Sequence, residues 1–265
     1  MEWPTDLEAR RPVVLPVDGL VRRAGAPVPP VLTVGIVLGD QPHTAVDTEQ
    51  RLGEARHYEV HQRWVVVDGD GGLRPRPASV VVTTSRRRPK FEVLDEQLQA
   101  VDLDAYEYVM LVDDDVIVPF GFVDAFLDLQ TALRFAIAQP ARTAGSGIDH
   151  PIVARHPGLV ARQTWFVEQG PIVSFHRSIL DAVVPFDLRS PMGWGVEGAW
   201  SALVERRGLQ MGVIDAVSID HSVRPVLTNY SLAEASRGAD ALLAAVAHRP
   251  LDDCMRVVRA IRTLP

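Results

Sequence analysis

The chain has 265 residues, 47% of them hydrophobic, enough to bury a core as one large domain or as one domain with a subdomain. A net charge of −7 and a pI near 5.6 argue against a general nucleic-acid or anionic-membrane surface, which would demand a basic face. The single cysteine, Cys254, cannot build a disulfide framework; the amino terminus lacks a basic-then-apolar signal pattern, and no apolar run reaches membrane-span length, so a cytoplasmic protein with no integral membrane segment is expected.

Residues 1–30, rich in proline and arginine, lack a sustained period and read as an extended arm. VLTVGIVLGD at 31–40 predicts a buried strand ending in a Gly-Asp turn. Residues 44–64 predict a helix with Val46, Leu52, Ala55 and Tyr58 or Glu59 near one face. Two valine-rich runs, 65–67 and 80–84, flank a Gly-Asp-Pro segment containing Asp68 and Asp70 and predict two strands joined as a hairpin. A helix over 90–101, a strand over 106–112 and a helix over 120–136 follow. The segment 140–170, rich in Gly, His and Arg, reads as a long functional loop. PIVSFHRSILDAVV predicts strand and helix, SPMGWGVEGAWSALVERRG a glycine-rich turn entering a helix, and LQMGVIDAVSIDHS a strand. Two helices, from about Ser231 to His248 and from Leu251 to Thr263, are expected to close the chain. Such alternation implies an α/β fold: a mostly parallel central sheet flanked by helices on both faces, with binding groups at the carboxyl ends of its strands.

One of those ends carries three consecutive carboxylates, Asp113, Asp114 and Asp115, directly after the apolar run YVMLV. Like charges this close raise one another's pKa unless a cation or hydrogen-bond donors share the site. Hard carboxylate oxygens suit Mg²⁺ or Mn²⁺, ions that also bind substrate phosphates, and a nucleotide diphosphate fits that geometry. The competing interpretation is a capped acidic turn before the next helix. At another strand exit, SRRRPK (85–90) places three arginines and a lysine where they can neutralise phosphates, with Lys90 and then Arg86 the leading candidates.

Six blocks, KFEVLDEQL, YEYVMLVDDDV, FAIAQPA, WFVEQGPIVSFHRSIL, GWGVEGAWSAL and GVIDAVSIDHS, occur in an order that resembles GT-A type glycosyltransferases. More closely, they are similar to a plant and bacterial family of glycosyltransferase-like chains classed as a domain of unknown function. The resemblance covers about residues 31–225 and implies a GT-A-like single domain: a Rossmann-like nucleotide-sugar half over 31–118 and an acceptor half over 119–225, with C-terminal helices over 226–265 packed on it. It implies that Asp113 and Asp115 form an Asp-x-Asp motif, the first near the donor ribose or sugar and the last on the metal, with Asp114 a second choice because the register can slip by one. His221 would be the late histidine on the metal or diphosphate. Lys90 stands where that family also carries a basic residue, and Gly39 and Asp40, ending the first strand, would approach the nucleobase or ribose. Glu197 opens a helix on the acceptor side, where a helix amino terminus favours the ionised form required of a general base. Trp194 could stack on a sugar ring, and the loop 143–170, with His150, His156, Trp165 and Glu168, would wall the acceptor. Asp215 and Asp220 are weaker candidates for the base.

The expected activity is therefore metal-dependent transfer of a sugar from a nucleotide-diphosphate sugar, UDP-sugar by analogy with the fold, to an acceptor hydroxyl, with inversion. No residue identifies the acceptor, no nucleic-acid partner is expected, and a homodimer is left open. Three alternatives remain at this point. The Asp-x-Asp of haloacid-dehalogenase phosphatases resembles VDDDVI and VVVDGDGG, although it normally sits on a first strand. A nucleotidyltransferase could share the sheet, and a non-catalytic nucleotide-sugar or glycan-binding module could have kept the fold without needing a base.

Overall fold

Val31–Leu38 forms β1, and its apolar residues are buried almost without interruption, as a strand covered on both faces requires. The computed structural model describes residues 11–20, 29–67, 75–225 and 231–264, so Asp68 and Asp70 lie outside the described residues. The succeeding elements are α1 (Ala45–Gly53), β2 (Val60–Val67), β3 (Val80–Thr84), α2 (Lys90–Gln99), β4 (Tyr108–Asp113), α3 (Phe122–Leu133) and β5 (Phe135–Arg142). Then come β6 (Ala161–Thr164), β7 (Ile172–His176), α4 (Arg177–Val183), α5 (Val196–Arg206), β8 (Gln210–Ile219), α6 (Leu232–Leu243), α7 (Leu251–Cys254) and β9 (Val257–Ile261).

Among the described residues these strands make one nine-stranded sheet of order β3-β2-β1-β4-β7-β5-β8-β6-β9. All strands but β7 and β6 run in one direction, because only those two are antiparallel to their neighbours. The expected mostly parallel α/β sheet is therefore present. β1 has β2 on one side and β4 on the other, both parallel. The chain thus leaves β1 toward one edge and later returns on the opposite side, which opens a crevice beyond the strand ends. The Asp113–Asp115 triplet emerges there.

Core residues lie on both faces. One cluster includes Leu52 of α1, Trp64 of β2 and Phe122 and Phe126 of α3; the other includes Phe91 and Leu94 of α2, Phe175 of β7 and Trp200 of α5. Each fully buried side chain of this size contributes roughly 1.5–3 kcal/mol of transfer free energy. At the other end of the sheet, residue 13–15 backbone joins β8: Val14 bridges Val217 and Leu15 N donates to Ala216 O at 2.8 Å.

Five features differ from the sequence expectation because tertiary partners win over local pattern, and one is the loop expected over 140–170, which holds the end of β5 and all of β6. The helix expected over 44–64 stops at Gly53, where Asp124 of α3 accepts hydrogen bonds from the Arg56 and His57 amides and turns the chain. Residues 60–67 then extend as β2, paired along the whole of β1. β2 and β3 are parallel, not a hairpin, because a tight turn cannot return a chain in the same direction. α3 ends at Leu133 with Arg134 in the left-handed region (φ 55°), and the wholly buried FAIAQPAR becomes β5. Finally, the second closing helix shrinks to Leu251–Cys254, and VVRAI adds β9 to the sheet against β6.

Candidate active site

A cavity of about 880 Å³ opens at the strand ends and is walled by the turn before α2, the triplet after β4, residues 166–170, the start of α5 and the C-terminal segment. The three aspartates serve it unequally. Asp114 turns inward: it is 2% exposed, its Oδ2 accepts from the Leu38 amide at 2.7 Å, and the Arg224 guanidinium grips both its oxygens. Burial pushes its pKa up to about 6 against the pull of Arg224. The bond to the end of β1 makes Asp114 a brace between strands, although it also lines the cavity.

Asp113 and Asp115 flank that brace and face His221, and one ligand atom from each of the three lies within 4.8 Å of the others. Lys90, at the start of α2, pairs with Asp113 Oδ1 at 2.6 Å. Asp115 meets His221 Nε2 at 3.1 Å and Arg224 Nε at 3.0 Å. Burial works to raise the Asp115 pKa, but hydrogen bonding and charge from His221, with Arg224 beside it, hold it below the usual carboxylate range. Two carboxylates and an imidazole are a donor set suited to Mn²⁺, and better suited to it than to the all-oxygen preference of Mg²⁺. His221 Nδ1 is a buried nitrogen with no hydrogen-bond partner, while Nε2 is the nitrogen turned to Asp115. The residues fit a divalent cation, and the geometry adds Asp113 to the Asp115–His221 pair expected from sequence.

Glu197 lies half-buried in the first turn of α5, behind Gly195, whose φ of +83° is a conformation other residues rarely adopt. Burial, reinforced by the nearby Glu168 carboxylate, pushes its pKa up to about 7, while backbone amides and His150 pull the other way. A carboxyl group poised there can take a proton near neutrality. Glu168 is buried and ion-paired with Arg142, and its Oε1 meets His150 Nδ1 at 2.7 Å. That hydrogen bond raises the His150 pKa. Arg142, 4% exposed at the end of β5, also donates to Gly147 O at 2.6 Å and Gly170 O at 3.1 Å, pinning the segment that carries Glu168.

Of the residues expected from sequence, Lys90, Asp113, Asp114, Asp115, Glu168, His150, Trp194, Glu197 and His221 line this cavity together. Arg86 does not: it is exposed, and Arg87 and Arg88 take the wall instead. Gly39 and Asp40 also fall outside the wall; Leu38 occupies it, Gly39 N is used by Val67 O, and Asp40 pairs with Arg87 at the margin. Trp165 stands behind the cavity, its ring 4.6 Å from the Arg249 guanidinium, and its neighbour Phe166 reaches the wall. His156 is likewise remote, its amide donating to Asp215 Oδ1 at 2.8 Å. Asp215 is spent on the buried Arg162, and Asp220 accepts from Thr143 and Ser222. Arg224 and the C-terminal wall residues escaped sequence reading. The signal for Arg224 was modest, a lone basic residue in HSVRP three positions beyond His221.

No family model matches this chain, and no curated protein does. Among solved structures, GalNAc-T7 with UDP, GalNAc and Mn²⁺ aligns with a TM-score of 0.57 and 11% identity over 73% of this chain and 44% of that one. Mannosyltransferase PcManGT from Pyrobaculum calidifontis, in complex with GDP-Man and Mn²⁺, aligns with a TM-score of 0.49 and 15% identity over 77% of this chain and 61% of that one. The chain therefore spans less than two thirds of either neighbour. Among the described residues no helix is long and apolar enough to cross a membrane. At such identities the likeness is one of fold, and the fold is that of the GT-A glycosyltransferases.

Proposed function

We propose that the chain is a metal-dependent glycosyltransferase that uses a nucleotide-diphosphate sugar, with UDP-sugar the first donor to test, and inverts the anomeric centre. The observation that carries this reading is the convergence, in one cavity, of the Asp113–Asp115–His221 group, the basic wall of Lys90, Arg87 and Arg88, and Glu197. The GT-A fold supports it, as does the UDP and Mn²⁺ bound by GalNAc-T7.

A divalent cation held by Asp113, Asp115 and His221 would supply Lewis-acid neutralisation of the departing diphosphate. Lys90 and the neighbouring arginines add fixed positive charge where phosphates would lie. Glu197 takes the proton of the acceptor hydroxyl as its oxygen bonds to the anomeric carbon, while the bond from that carbon to the diphosphate oxygen breaks and its electron pair leaves with the nucleotide. Arg142 and His150 hold Glu168 in place beside the base, and Asp114 with Arg224 fixes the strand-end geometry of the triplet.

Calorimetry with UDP and GDP, with and without Mn²⁺, tests this reading. Nucleotide binding should require the cation in the intact protein. Robust Mg²⁺-dependent hydrolysis of simple phosphate monoesters that is lost in Asp113→Asn would overturn it in favour of a phosphatase.

A further inference from the structure

Beyond Glu197 the cavity changes character. A Cβ added at Gly195 would lie 3.3 Å from Leu243 Cγ and 3.4 Å from Ala239 Cβ, and one at Gly198 would lie 2.7 Å from the Arg249 carbonyl oxygen. The glycines on either side of Glu197 thus let α6 and the turn into α7 press directly against its helix. From this side Ala239, Leu243, Pro250 and Leu251 line the cavity and present hydrocarbon.

The cations at this end are already engaged. Arg249 lies over the Trp165 ring, pairs with Glu205 at 2.7 Å and donates to Ser201 at 3.2 Å; Arg142 is spent on Glu168 and two carbonyls. Among the described residues the remaining ionisable lining here is acidic Asp149 and Glu234, the buried carboxyl of Glu197, and the imidazoles of His150, engaged by Glu168, and His248, whose Nδ1 meets the Val246 carbonyl oxygen. A carboxylate or phosphate on the acceptor would meet that field without a guanidinium to receive it. A polyhydroxylated sugar would leave hydroxyls against leucine and proline, and unpaired polar groups are costly there.

We propose that the acceptor is an uncharged alcohol or phenol whose hydroxyl reaches Glu197 and whose apolar body rests on Ala239, Leu243, Pro250 and Leu251. The inference rests on the transferase reading for the meaning of the site, but binding can be measured without donor or metal. 2-Naphthol and 1-octanol would be titrated against the intact protein by saturation-transfer NMR, with glucose and 4-hydroxybenzoate as comparators. The two apolar probes should bind at least about tenfold more tightly than either comparator, as burial of a hydrocarbon body predicts. Leu243→Asn should weaken 2-naphthol about tenfold, and Leu251→Asn, at a side chain 53% exposed and safe for folding, about threefold. Equal or tighter binding of glucose or 4-hydroxybenzoate, or unchanged 2-naphthol affinity in both variants, overturns the proposal. The same preparation titrated with Mn²⁺ and UDP decides the transferase reading separately, since that reading fails if no nucleotide binds, whatever the naphthol result.

Discussion

The two ends of the cavity differ in how their carboxylates are paired. At the strand ends every carboxylate is matched: Lys90 on Asp113, Arg224 on both Asp114 and Asp115, His221 on Asp115. At the start of α5, Glu197 has no ion-pair partner among the described residues, and burial, which also lifts the paired Asp114 to about 6, pushes its pKa up to about 7. Compensated ions can exchange partners for a cation and a diphosphate at little desolvation cost. A carboxyl group whose charge is suppressed by burial is poised to trade protons. On the proposed function, binding belongs to one end and proton transfer to the other, and that division can be broken experimentally.

The largest effect is expected from Glu197→Gln. It keeps the size of the side chain but cannot accept the proton, so turnover should fall roughly 10²-fold to 10⁴-fold while Mn²⁺-dependent nucleotide affinity stays near normal. Steady-state rates beside calorimetry check this, and loss of donor binding together with stability would make the residue structural. The wild type should also show an acid limb that rises through about pH 7, absent in the variant. The sign for stability is the reverse: the folded pKa exceeds the ordinary 4.5, so the buried neutral form stabilises the fold at low pH and that contribution is lost as pH rises through about 7. Glu197→Gln should therefore flatten the fall in melting temperature over that window.

Asp115→Ala attacks the other end. Removing a candidate ligand should weaken Mn²⁺-dependent nucleotide binding by about 10²-fold, the upper range seen even for outer-sphere partners of metal sites. The fold should persist, because Asp114 still receives the Arg224 guanidinium. Unchanged metal-dependent affinity in calorimetry would remove Asp115 from the metal group.

Glu168→Gln links the two ends. It removes the carboxylate that raises the Glu197 pKa and also the partner of buried Arg142. The acid limb of the pH–rate profile should move to lower pH, and stability should drop by about 3 kcal/mol, the cost of leaving a buried charge unpaired. A profile that stays in place while stability falls would make Glu168 a brace for Arg142 and nothing more.

The sequence was most legible where one local feature determined the outcome. An apolar run followed by three aspartates placed the triplet at a strand exit, and Gly-Trp-Gly before Val196 marked the helix start that presents Glu197. It was least legible where distant partners chose. FAIAQPAR reads equally as buried helix or buried strand, and only pairing with β8 and β7 decides it. VVRAI became an edge strand because β6 was there to receive it. Arg224, Leu243 and Arg249 reach the cavity from segments far along the chain, and no spacing in the sequence brings them to Asp115 or Glu197.

The smallest effect tests the basic turn, where the sequence favoured Arg86 and the structure favours its neighbour. Three consecutive arginines cannot all face a ligand. Beyond the end of β3, Arg86 is exposed, its amide donating to Thr84 Oγ1, while Arg87 pairs with Asp40 and lines the cavity. Its side chain is 44% exposed, so solvent and salt screen it heavily and its contribution to a bound diphosphate should be modest. Arg87→Ala should weaken nucleotide binding about threefold to fivefold at low salt, with most of the difference gone near 1 M NaCl. Arg86→Ala should bind as the wild type at every salt concentration. If Arg86→Ala loses affinity and Arg87→Ala does not, the turn must present its other face to the donor, and the matching of charges at the strand ends would need to be redrawn around Arg86.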